Sequence, residues 1–264
     1  MSFLEVRSVC AGYGRKKVVE NITFSLEKGE ILGLLGANGS GKTTLIQALC
    51  GNLPHSGTVT LEGVSLEKLS PRPLARLCSY IPQRSGISID MSALEVVAMG
   101  FHPYLGLLEQ PGDAQMDRAK KALSQVGLAQ RGEENFQTLS EGQKQLVILA
   151  RTLVWDGKLL LLDEPESALD ISHRWRMAAL LQAFCADKCA VLALHDPQLA
   201  LNLCHRVLLL KDGKSLGVLR PRQDSLEDTE KALSKLYGPV TLGKLPDKRG
   251  NQQFVILKDW EEMP

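Results

Sequence analysis

Apolar residues along the chain gather in short uninterrupted runs, and those runs set the frame. ILGLL at 31–35, LLLLD at 159–163 and CAVLAL at 189–194 are almost wholly apolar and too short for buried helices. Each reads as a strand covered on both faces, as in the parallel sheets of α/β proteins. Other segments have different periods. FLEVRSV at 3–9 alternates, and NITFSLEKGE at 21–30 and TVTLEG at 58–63 read as further strands, so antiparallel strands accompany the parallel core. RVLLLKDGKSLGVL at 206–219 reads as a strand pair turning at Asp212-Gly213. Helical spacing predicts helices over 44–49, 91–99, 116–126, 144–153, about 173–186, about 197–204 and 225–237. FVILKDW at 254–260 predicts a last edge strand.

The first buried run leads directly into GANGSGKT at 36–43, with the spacing GxxxxGK[ST]. A strand, a glycine-rich turn and a helix start aim backbone N–H groups at phosphates, so the chain handles a nucleoside triphosphate. Gly36, Gly39 and Gly41 permit close backbone approach, and Asn38, Ser40 and Thr44 complete the loop and the first helical turn. Lys42 reaches the β and γ phosphates and Thr43 holds a magnesium ion. Far downstream, LLLLDE at 159–164 ends a buried strand in two carboxylates. A strand can end in solvated acids, but metal-bound triphosphate chemistry needs such a pair. Asp163 completes the magnesium environment, and Glu164 is the candidate base for an attacking water. LSEGQ at 139–143 opens a helix, with Ser140 as N-cap and a positive helix end suited to a phosphate presented by a partner. His195 follows CAVLAL at a strand end, where taken alone it is as often an ordinary surface histidine.

Over nearly all of residues 3–220 the chain resembles the ATP-binding cassette ATPases, the nucleotide-binding subunits of ABC transporters. Tyr13 in AGYG matches the aromatic that stacks on adenine, and Gln83 in YIPQ matches the glutamine that contacts magnesium and water and senses the membrane partner. LSEGQ looks like the family's signature motif, which implies that Ser140, Gly142 and Gln143 meet the nucleotide of an opposite subunit. SALD at 167–170 looks like the D-loop, with Asp170 at the dimer interface, and His195 in LALHD matches the switch histidine that contacts the γ phosphate. The resemblance implies ATP and Mg2+ as cofactors, and hydrolysis by Glu164 with Gln83 and His195. It implies an α/β fold: a P-loop NTPase core of ABC ATPase type over 1–85 and 139–240 with an antiparallel β subdomain, an inserted helical subdomain over 86–138, and a short C-terminal extension over 241–264. The implied partners are a second copy in a head-to-tail dimer, two permease subunits with many transmembrane helices, and an extracytoplasmic solute-binding protein reached through the permease.

Three segments narrow the branch. GFHPYLG at 100–106, HDPQLA at 195–200 and SPRPLAR at 70–76 are similar to GRxPHxG, HDLNLA and LSPRELAR of the importer ATPases that serve iron siderophores, haem and cobalamin. Phe101 departs from the basic residue common there, and Ala37 replaces a proline. Glu141 stands at the first glycine of LSGGQ, where a carboxylate directed inward repels an incoming phosphate. Glu166 stands where threonine is usual, and it either disturbs the neighbouring base or the interface, or faces solvent. A soluble cassette ATPase, such as one of iron–sulfur assembly, or another transporter branch would use the same nucleotide site.

Composition adds exclusions. With 31 basic and 30 acidic residues, a net charge of +1 and 5% aromatics, nothing indicates a nucleic-acid surface. No apolar stretch approaches a membrane span, and residues 1–20 lack a signal-peptide core. The six cysteines are scattered, and Cys185 with Cys189 lacks neighbouring metal ligands, so they read as buried thiols of a reducing compartment. The expected location is the cytoplasmic face of the cell (inner) membrane, as a peripheral subunit.

Overall fold

Alternation at the start of the chain becomes an antiparallel pair, β1 (Leu4–Tyr13) with β2 (Lys16–Leu26). Val6 and Val9 are both buried despite their odd spacing, because the register shifts between them and Ser8 takes a φ of 49°. A bulge of this kind turns an alternation error into one apolar face. The computed structural model describes residues 2–83, 90–106 and 108–258. It divides into two compact units, Met1–Glu67 with Cys189–Pro264, and Lys68–Lys188. In the first unit β3 (Ile31–Leu35) is buried throughout and feeds α1 (Lys42–Leu49), while β4 (His55–Leu61) and β5 (Val64–Ser65) extend the first sheet in the order β2-β1-β4-β5.

The second unit opens with α2 (Pro71–Leu77), which the periodicity does not announce. Its two prolines fall in the first turn, where the missing N–H groups have no intrahelical role. Then follow β6 (Cys78–Ile81), α3 (Ala93–Ala98), a 3-10 turn over Met99–Tyr104 and α4 (Asp113–Gln125). The predicted helix over 91–99 is therefore shorter and preceded by a cap, in which Ser92 and Glu95 bond each other's backbone. Residues 86–89 of the predicted helical segment lie outside the described residues. α5 (Glu141–Leu153), β7 (Leu159–Asp163) and α6 (Ile171–Phe184) complete the unit. β6 and β7 pair in parallel with Ile81 opposite Leu162.

Back in the first unit, β8 (Cys189–Ala193), α7 (Pro197–Leu203), β9 (Arg206–Lys211) and β10 (Lys214–Leu219) follow. β3 lies between β8 and β9, parallel to both, and β10 returns antiparallel on β9. The turn falls at Asp212 and Gly213, both at positive φ, as predicted. Gly213 cannot take a side chain: a Cβ there would sit 2.1 Å from the Val18 carbonyl oxygen. α8 (Leu226–Tyr237) leads into β11 (Val240–Pro246) and β12 (Gln252–Lys258), an antiparallel hairpin. The last predicted strand is thus β12, while residues 259–260 lie outside the described residues. Its partner β11, with Gly243 inside and Pro246 at its end, carries no clear strand signal.

Candidate active site

β3 delivers the chain to Gly36, where there is no room for a side chain. A Cβ would lie 2.4 Å from both the Leu210 carbonyl oxygen and Ser40 Oγ. Gly41 has φ 104°, and a Cβ there would meet Val19 at 2.5 Å. These two glycines let the loop fold tightly around the start of α1, which has no side-chain cap. A helix start of this kind is where backbone N–H groups and the positive end of the helix can meet an anion. Lys42 is buried and donates from Nζ to the carbonyl of Gly36 at 2.7 Å, so its ammonium curls over the loop. Ser40 Oγ is buried without a hydrogen-bond partner among the described residues, Thr44 is buried, and Asn38, Gly39 and Thr43 are exposed. An uncapped helix start, an orphaned buried hydroxyl and an exposed threonine in the first turn fit a magnesium-bound phosphate chain.

Tyr13 ends β1 53% exposed, and its hydroxyl donates to Gln47 Oε1 on α1 at 3.0 Å. That hydrogen bond fixes the ring beside the helix that the phosphate loop begins; nothing in the motif pattern singles out Gln47. Tyr13 also borders a concavity of about 510 Å³ lined by Gly12, Lys16, Lys17, Pro54 and His55. His195 is exposed just beyond β8, where Leu194 N–H still donates to the Leu34 carbonyl at 3.1 Å. Asp196 then caps α7 by accepting from Leu199 N–H at 3.0 Å.

In the second unit the parallel register of β6 and β7 brings Gln83 and Glu164 out at neighbouring strand ends. The Gln83 amide donates to Glu164 Oε2. Asp163 and Glu164 are both buried, and Glu164 holds a φ of 52°, a conformation uncommon outside glycine. Glu166 is 2% exposed, so the solvent-facing alternative for it is excluded. Ser140 caps α5 as predicted: its Oγ accepts from Gln143 N–H at 3.3 Å, and Gln143 Oε1 accepts from Ser140 N–H at 3.0 Å. The Gln143 side chain is therefore committed to a capping box. A Cβ at Gly142 would lie 3.0 Å from the Ala168 carbonyl oxygen, so this glycine admits close approach of the SALD segment.

Asp170 caps α6. Its carboxylate accepts from His173 N–H at 2.8 Å and from Ser172 Oγ at 2.9 Å, and lies 2.9 Å from His173 Nδ1. The backbone bond from His173, aided by Ser172 and the His173 side chain, lowers its pKa from 3.8 to about 2. A depressed carboxylate contributes stability that is complete above 3.8 and disappears as pH falls through about 2. Asp170→Ala is therefore expected to lower the thermal midpoint at pH 7, with the gap to wild type closing only as pH descends through that window.

The family model described as "ABC transporter" matches residues 19–167. The chain belongs to the ABC transporter family. The hemin import ATP-binding protein HmuV of Pseudomonas fluorescens is 37% identical, over 92% of this chain and 95% of its own length. The cobalamin import ATP-binding protein BtuD of Halobacterium salinarum is 31% identical over 93% of this chain but only 64% of its own length. The chain spans 53% of the length of an ABC transporter ATP-binding protein of Bacillus subtilis. A solved structure of a metal-chelate type ABC transporter in an inward-facing conformation superposes with a TM-score of 0.80 at 26% identity, covering 98% of this chain and 99% of that one. The fold is accordingly that of an ABC ATPase, with a P-loop core, a mixed sheet and helical insertions.

Two segments that resemble the importer branch meet in this ABC subunit. Arg72 and Arg76 of α2, from SPRPLAR, donate to the carbonyls of Leu105 and Pro103, the latter at 2.8 Å, and Tyr104 donates back to the Arg76 carbonyl at 3.3 Å. α2 thus clasps the GFHPYLG turn and leaves His102 exposed. Phe101, the departure from a basic residue, is buried with the Arg118 guanidinium 5.1 Å from its ring centre. A basic residue is still present, supplied from α4 and stacked on the ring. Glu141, the other departure, is 78% exposed and pairs with Lys144 Nζ at 2.9 Å. Its carboxylate lies in the first helical turn, which the helix dipole favours. Glu141→Gly is expected to preserve or raise ATPase activity; complete loss in a steady-state assay would give Glu141 a required role.

Proposed function

We propose that this chain is the ATP-hydrolysing subunit of a multi-subunit ABC importer for a metal chelate, of the iron-siderophore, haem or cobalamin kind. It works at the cytoplasmic face of the membrane as a head-to-tail pair with a second copy, beneath two permease subunits that receive solute from an extracytoplasmic binding protein. Residues 86–138 serve as the helical subdomain that meets the permease. The observation that carries this reading is the hydrogen bond from Gln83 to Glu164. It joins the segment leading into the helical insertion to the carboxylate assigned to hydrolysis, so displacement of one is felt by the other.

Tyr13 stacks on adenine, and Gly36, Asn38, Gly39, Ser40, Gly41 and Thr44 hold the phosphates by backbone N–H and hydroxyl groups. Lys42 moves its ammonium from the Gly36 carbonyl to the β and γ phosphates. Magnesium, when bound, offsets phosphate charge, and Thr43, Gln83 and Asp163 supply the oxygens that hold it. Glu164 accepts a proton from the attacking water, oriented by Gln83 and by His195. Ser140, Gly142 and Gln143 close on the nucleotide of the second copy, chiefly through the helix end, because the Gln143 side chain already caps α5. The test is sedimentation of Glu164→Gln with ATP and magnesium: a doubling of mass that requires ATP is expected, and a persistent monomer at saturating ATP would refute the paired site.

A further inference from the structure

The C-terminal hairpin is fastened to the helix that follows the switch histidine. α7 starts two residues after His195, and its capping residue Asp196 is the sole residue between them. Leu199, Ala200, Leu201 and Leu203 of this short helix are buried. Gln198 and Asn202, four apart and therefore on a common face, reach β12. Asn202 engages one residue in both directions: Nδ2 donates to the Phe254 carbonyl at 3.0 Å, and Oδ1 accepts from Phe254 N–H at 2.8 Å. Gln198 Oε1 accepts from Ile256 N–H at 3.3 Å.

These bonds fit the alternation of the strand pair. Phe254 faces Lys244 and Ile256 faces Leu242, two positions of one alternation, and the Phe254 N–H and carbonyl and the Ile256 N–H are taken up by α7. The opposite edge is treated alike, with Leu242 N–H donating to Glu230 Oε2 of α8 at 2.7 Å. Helix side chains thus replace a third strand on both edges. Phe254 and Leu242 are buried, and Lys244 Nζ lies 4.5 Å from the Phe254 ring centre. Tyr237, the last residue of α8, lies near the cap of α7. Burial, with a contribution from Asp196, pushes its phenol up to about 12.

We propose that Gln198 and Asn202 are positioning residues for hydrolysis: through them the C-terminal hairpin holds α7, and α7 holds His195 at the place from which it acts. A seven-residue helix is marginal by itself, and these three bonds add to the packing of its four buried residues in fixing its place. The inference rests on the role given above to His195 and extends it to an element outside the nucleotide motifs.

The experiment is steady-state ATPase kinetics of the full chain, with thermal midpoints, for Gln198→Ala/Asn202→Ala, Asn202→Asp and His195→Ala. The double variant is expected to lose about tenfold in kcat with KM for ATP within about twofold of wild type, since hydrogen bonds of this number can shift a barrier by that much. Asn202→Asp keeps the acceptor for Phe254 N–H but sets a carboxylate against the Phe254 carbonyl; isosteric and able to fold if the double variant is not, it falls between. Unchanged kcat in a folded Asn202→Asp, or a raised KM tracking a lowered midpoint, overturns the inference. Wild-type turnover in His195→Ala instead overturns the role of the histidine itself, so the two failures are separable.

Discussion

Glu164→Gln retains ATP and stops turnover. The substitution keeps shape and volume, and glutamine makes the same demand on the backbone at the φ of 52° found there. Its carbonyl oxygen can still accept from the Gln83 amide, as Glu164 Oε2 does, so the segment that enters the helical insertion stays in place. What disappears is the capacity to take a proton from water. Positioned general-base catalysis contributes about 10²- to 10⁴-fold, so kcat is expected to fall by at least 10²-fold while the nucleotide dissociation constant stays within a few-fold. Steady-state phosphate release and equilibrium nucleotide binding check the two halves. Wild-type hydrolysis in this variant would remove Glu164 from the mechanism.

Lys42→Ala fails one step earlier. The ammonium is buried and donates to the carbonyl of Gly36 at 2.7 Å and more weakly to that of Ala37 at 3.4 Å. Removing the ammonium leaves these carbonyls without that donor, so the apo protein is expected to lose some stability as well. Toward the triphosphate the loss is large. Charge-assisted hydrogen bonds are worth roughly 1.5–3 kcal/mol each, so two of them correspond to about 10²- to 10⁴-fold in affinity. Thermal unfolding separates the effects. Wild type at an ATP concentration about 100-fold above its dissociation constant gains about 2.7 kcal/mol. The variant, measured against its own apo midpoint, gains almost nothing at that concentration. An ATP-dependent rise equal to that of wild type would show that phosphate binding does not depend on Lys42.

What could be read before the structure was local. The phosphate loop is a contiguous solution to a contiguous problem: Gly36 and Gly41 are needed because Leu210, Ser40 and Val19 crowd them, and the spacing shows that need without naming the neighbours. Ser140 as N-cap of α5 and Asp212-Gly213 as a hairpin turn were legible for the same reason. Properties that depend on distant segments were not. The side chain of Glu166 could be buried or exposed on sequence grounds, and only the packing after β7 resolves it. SPRPLAR and GFHPYLG each carried a resemblance, but Arg76 meets Pro103 only in the folded unit. Gln47, Gln198 and Asn202 are ordinary helix residues by propensity. Their significance lies in Tyr13, Ile256 and Phe254, which periodicity cannot connect to them.

The proposed role as motor of an importer is tested most directly by capturing the chain from gently solubilised native membranes and determining the stoichiometry of each co-purifying protein by mass spectrometry. The account predicts two copies of this chain for each pair of permease subunits rich in transmembrane helices. Recovery with soluble proteins only, from membranes whose other complexes are demonstrably intact, would contradict it and point to a cassette ATPase that works without a permease.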